Sequence, residues 1–144
     1  MTADPEVMRF MGDGHTFDRE EAWKAIAGFL GHWQLRGYGL WAVEERDTGR
    51  LVGRCGLYNP EGWPGLEVGW LLERSCWGLG YATEAGRASL EHAWHELGAT
   101  HVISLIHPDN AASIRVAERL GETFERSITR HDLPVSIYGV DRPG

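Results

Sequence analysis

Cysteine is scarce in this chain: only Cys55 and Cys76 occur in 144 residues. That excludes a disulfide framework and a four-cysteine metal site, and it points to a reducing setting, with a cytoplasmic location expected. No apolar run is long enough to span a bilayer, and the acidic start Met1 to Glu6 is unlike the basic opening of a signal peptide. Basic residues are outnumbered, 14 against 21 acidic, for a net charge of -7. A general nucleic-acid binder needs clustered Lys and Arg, so none is expected; the charge suits plain solubility or a cationic amine substrate. His92 and His95 lie one helical turn apart, but no carboxylate or cysteine cluster completes a metal site. Repeats, low-complexity tracts and interdomain linkers are missing too. Residues 1–144 therefore read as a single domain, and 42% hydrophobic residues suffice for one core.

Two familiar phosphate loops are also absent. The dinucleotide fingerprint needs a glycine where this chain has Thr83, and no Gly-Lys-Ser/Thr occurs. What is present is Leu66 to Ala85, LEVGWLLERSCWGLGYATEA, an apolar strand-like run that empties through Gly78 and Gly80 into a helix. The first turn of a helix leaves amides unpaired at the positive end of its dipole, which favours an anion. Glycines there tolerate positive φ and let the backbone wrap closely around a ligand. In the helix, Ala82, Gly86, Leu90, Ala93, Trp94 and Leu97 share one face, and Gly98 stops it. On the glycines alone, a tight turn that binds nothing is an equal reading.

A second strand-to-helix unit follows. The run Val102 to Ile106 ends at Pro108, Asn110 is placed to cap a helix, and Ile114, Ala117 and Leu120 form its apolar stripe before Gly121. Two such units side by side give one cleft able to hold an extended ligand.

From Gly39 to Val140 the chain resembles the GNAT acetyltransferase superfamily, and within it the RimJ/RimL-like branch. Trp77-Gly78-Leu79-Gly80-Tyr81-Ala82 fits the acetyl-CoA loop Gln/Arg-x-x-Gly-x-Gly/Ala except at its first position, and Asn110 with Ser113 fits the Asn-x-x-Ser of the next helix. The resemblance implies acetyl-CoA as acyl donor, with its pyrophosphate held by the amides of Gly78, Leu79, Gly80, Tyr81, Ala82 and Thr83. It further implies contacts from Asn110, backbone pairing of the pantetheine arm to Leu71 and Leu72, and Ser113 as general acid. Arg115 and Arg119 are placed to meet the 3'-phosphate or to be ordinary surface charge. The implied fold is mixed α+β: a mostly antiparallel sheet splayed between two central parallel strands, with helices on both faces. The family's first strand has no counterpart before Pro5 to Gly12, so either an open sheet edge with poor solubility or a homodimer that covers the edge is expected.

Elsewhere, Asp18 and Glu21 form a capping box for a helix toward Arg36, with Ala22, Ile26, Phe29, Leu30 and Trp33 as its buried stripe. Leu40 to Glu44 and Leu51 to Tyr58 read as antiparallel strands, and two more lie near Glu122 to Thr129 and Val135 to Val140.

The chemistry needs an amine stripped of its proton, donors for an oxyanion and a proton source for a thiolate. Glu67 is the candidate base: on a strand it shares a face with Gly69 and Leu71, and burial near Trp63 and Trp70 raises its pKa. A structural Glu paired with an arginine such as Arg54 is the alternative. Ser113, one turn after Asn110, either faces the sulfur or bonds its own backbone. Three functions stay open: an N-acetyltransferase acting on a protein N-terminus or small amine by direct attack, an acyl-CoA-binding sensor without turnover, and a structural domain. No metal is expected in the transferase reading.

Overall fold

Helix starts in this protein are served by side chains, with one exception. In the computed structural model, which describes all 144 residues, Asp4 caps α1 (Pro5–Met8). Asp18 accepts from the Glu21 amide at 2.8 Å while Glu21 accepts from the Asp18 amide at 2.9 Å, the expected capping box of α2 (Arg19–Arg36). Asn110 accepts from the Ser113 amide at 3.2 Å and so starts α4 (Ala111–Arg119). The exception is α3 (Tyr81–His95), which begins at Gly80 with no side-chain cap.

Six strands form one sheet: β1 (Leu40–Glu44), β2 (Leu51–Tyr58), β3 (Glu67–Leu72), β4 (His101–Ile106), β5 (Thr123–Arg130) and β6 (Leu133–Asp141), in the order β1-β2-β3-β4-β6-β5. Every neighbouring pair is antiparallel except β3 and β4, which share the single registered pair Glu67 and Ile103. The parallel strands part beyond it, and the gap opens toward the ends that feed α3 and α4. The β5–β6 hairpin turns through His131 and Asp132 at φ of 48° and 63°, the left-handed pair that a two-residue loop requires.

The core lies between the sheet and α3. Leu57, Val68 and Val102 pack with Leu90, Ala93, Trp94 and Leu120. Gly86 sets how closely α3 meets the end of α4, since a methyl there would stand 2.8 Å from Leu120 Cδ1. On the opposite face, α2 lays Phe29 and His32 against Tyr58.

The buried stripe of α2 differs from expectation. Ile26 and Leu30 are 57% and 65% exposed, and His32 is the buried residue of that helix. The reason is a polar clamp: His32 Nδ1 lies 2.9 Å from the Tyr38 carbonyl, His32 Nε2 accepts from the Asn59 amide at 2.9 Å, and Trp33 Nε1 donates to the Leu40 carbonyl. These bonds fix the rotation of the helix, and apolar periodicity carries no trace of them. The last strands also shift, β5 starting at Thr123 rather than Glu122 and β6 at Leu133 rather than Val135.

Candidate active site

Where β3 ends, the chain makes a 3-10 turn, Arg74–Cys76, braced by Glu73, which takes the guanidinium of Arg50 and, at 2.6 Å, the hydroxyl of Ser75. Gly78 and Gly80 then adopt φ of 74° and 84°. The consequence is a run of six amides, Gly78 to Thr83, none of which donates to another group of the protein. They stand at the positive end of the α3 dipole.

These amides border a cleft of about 390 Å³. Leu71 and Leu72 line it from the strand, Gly78, Gly80, Tyr81, Ala82 and Thr83 from the loop and helix start, and Asn110 and Ser113 from α4. Nine predicted residues are thus brought together. Leu79 is not in the wall, and its side chain is exposed; only its amide belongs to the run. Ser113 Oγ accepts from Trp70 Nε1 at 3.2 Å rather than bonding its own helix, so the hydroxyl is anchored to β3 across the cleft. Arg115 and Arg119 line the cleft, and Arg119 with Arg87 also borders a polar recess beside Gly78, Gly80 and Thr83.

Sequence reasoning missed the opposite wall. Residues of and after α1, Glu6, Arg9, Phe10 and Met11, close the cleft from that side. A four-residue helix leaves too short a pattern to place it.

Glu67 is not part of that wall. It lies at the parallel pair with Ile103, and its Oε2 accepts from Trp63 Nε1 at 2.6 Å. Burial pushes its carboxyl up to about 7, against the lowering pull of Trp63, the Leu105 amide, Arg54 and Arg130. Arg54 makes no ion pair with it; its guanidinium lies over Phe29 and acts on Glu67 through charge alone. A carboxyl held near neutrality can take up a proton at physiological pH.

No three His, Cys, Asp or Glu side chains cluster as metal ligands. No helix is long and apolar enough to cross a membrane.

The sequence matches the family model for the acetyltransferase (GNAT) domain over residues 1–123. The chain belongs to the GNAT acetyltransferase family. Like others of this family it is an acetyl-CoA-dependent acetyltransferase. It is similar to the uncharacterized protein YkkB of Bacillus subtilis, 34% identical over 94% of this chain and 78% of that protein. A crystal structure of an acetyltransferase from Agrobacterium tumefaciens superposes with a TM-score of 0.85 at 30% identity, over 98% of this chain and 81% of that one. The RimL ribosomal L7/L12 alpha-N-protein acetyltransferase, solved with coenzyme A, has a TM-score of 0.77 at 20% identity, over 94% of this chain and 80% of its own, a likeness of fold.

Proposed function

We propose that this GNAT enzyme is an N-acetyltransferase of the RimJ/RimL-like branch, moving the acetyl group of acetyl-CoA to a primary amine in a ternary complex. The observation that carries this reading is the six-amide run from Gly78 to Thr83, unpaired and opening on a cleft that Ser113 also lines. The diphosphate of the donor sits on those amides, and Leu71 and Leu72 pair with its pantetheine arm. Asn110, whose Oδ1 is spent on its own helix, has an amide nitrogen left to donate.

Glu67 receives the proton that the amine must lose, directly or through a water. The neutral nitrogen attacks the thioester carbonyl, the C–S bond breaks, the second proton of the nitrogen passes through water to the leaving sulfur to give the free thiol, and that sulfur takes a hydrogen bond from Ser113 as it leaves. A serine hydroxyl is a weak acid, so its contribution is stabilisation of the developing thiolate. Trp70 holds Ser113 from the acceptor side of that hydroxyl and leaves its proton free to point at sulfur.

The unpaired side of β1 suits association with a second copy, which light scattering reads directly. Calorimetric titration with acetyl-CoA and thiol release with a panel of amines test the central reading. Binding with turnover is expected; absence of binding, or binding with no amine acetylated, rejects it.

A further inference from the structure

Resting on that reading, we propose that the acceptor is a small amine carrying its own carboxylate, and that Arg54 is the residue that receives the carboxylate. The sheet places the two groups together. In the β2–β3 ladder Tyr58 stands opposite Glu67, Gly56 opposite Gly69, and Arg54 opposite Leu71, so Arg54 and Glu67 project from one face. Between them Gly69 leaves a gap, since a methyl built there would meet nothing but the Glu67 carboxyl, at 3.4 Å from Oε1. Arg54, Tyr58, Trp63, Glu67 and Gly69 are all partly open to solvent.

Arg54 is an unusual cation in this chain. Like several surface arginines it takes part in none of the ion pairs and none of the side-chain hydrogen bonds, but unlike them it is withdrawn from water, with its guanidinium 4.9 Å over the ring of Phe29. Burial depresses its pKa, with Glu67 opposing. The carboxyl of Glu67 takes its hydrogen bond from Trp63 and makes no ion pair with Arg54, which acts on it through charge alone. Arg130, the other cation near Glu67, is already occupied: it stacks 4.4 Å over Trp63 and donates to the Gly62 carbonyl at 3.3 Å. A desolvated guanidinium with free donors is costly to keep unless an anion comes to it, and its planar fork matches a carboxylate. An amino acid satisfies both ends, its amine toward Glu67 and its carboxylate toward Arg54.

The test compares free amino acids with their amides and their decarboxylated amines, by mass-detected acetylation and by calorimetric binding to protein saturated with coenzyme A. Free acids are expected to lead by roughly tenfold or more in kcat/KM, because a site built for a polar group rejects analogues lacking it. Arg54→Met keeps the stem against Phe29 and should bring that ratio near unity; Arg54→Lys, charged without the fork, should fall between. A thermal melt of each variant verifies folding. Amides or plain amines acetylated as fast as the acids, or an unchanged ratio in Arg54→Met, overturn the inference while leaving the acetyltransferase reading intact. Should no amine be acetylated, that reading falls by itself and binding still decides: acid binding lost in Arg54→Met upholds the role of Arg54, and binding unaltered overturns it.

Discussion

Glu122 reaches the hydroxyl of Ser104 at 3.0 Å, and its other carboxyl oxygen is buried without a partner. Ser104 has one proton and lies 2.7 Å from the Val68 carbonyl, which can only accept. The proton of Ser104 therefore goes to Val68, and Glu122 stays a neutral acid that donates to Ser104. The pair bridges β3 and β4 just where their ladder stops. Burial pushes the carboxyl up to about 8, with the charges of Glu67 and Glu125 adding to the rise.

That arrangement gives stability a pH dependence of definite sign. Glu122 titrates at 4.5 in the unfolded chain and at about 8 in the fold, so the folded state binds the extra proton between those values. Its contribution is complete below about 4.5 and is lost as pH rises to about 8, at up to about 1.4 kcal/mol per pH unit for one proton. Glu67, also raised, acts in the same direction up to about 7. Urea unfolding across pH 5 to 9 should show the decline, and Glu122→Gln, which keeps a donor for Ser104, should flatten its upper part. An equal slope in that variant would assign the titration elsewhere.

Glu67 works as a base only when unprotonated. With its carboxyl held at about 7, kcat/KM should climb as pH passes through about 7 and then level. Glu67→Gln should remove that limb and lower kcat by roughly 10²-fold or more, leaving the acetyl-CoA dissociation constant unchanged. A full pH-rate profile of both proteins checks this.

Gly80 opens α3 at φ of 84° with space around its Cα. Gly80→Ala strains the backbone by about 1–2 kcal/mol without a clash and displaces the amides beside it. Acetyl-CoA affinity should drop about tenfold, a difference of about 1.4 kcal/mol. Gly62→Ala, at φ of 85° and away from the cleft, should cost similar stability and leave affinity alone. Calorimetry on the two variants separates strain from ligand contact.

Ser113→Ala should reduce kcat about tenfold, the worth of one hydrogen bond to a charged group. Because Trp70 then loses its acceptor, tryptophan emission should shift as well. A shifted spectrum with undiminished kcat would move the proton-donor role to another side chain.

Much of this was legible in order along the chain. Capping residues and glycines act through bonds of three or four residues, so Asp18, Asn110, Gly78 and Gly80 announce their roles locally. The apolar stripe of α3 was readable for the same reason, since one face meets one uniform core. The α2 helix failed that test because a histidine clamp to distant backbone, not oil, decides which side turns inward.

The sequence by itself determined the element types, the loop whose amides stay free, and the family. Only the tertiary structure decided that Glu67 stands outside the cleft wall, that Ser113 is held by Trp70, that α1 closes the cleft, and that Arg54 waits unpaired beside a gap at Gly69. The division has a physical cause. Backbone geometry is set by neighbours a few residues away, whereas partners and burial are set by strands that meet across dozens of residues, and a carboxyl or guanidinium takes its character from what surrounds it there.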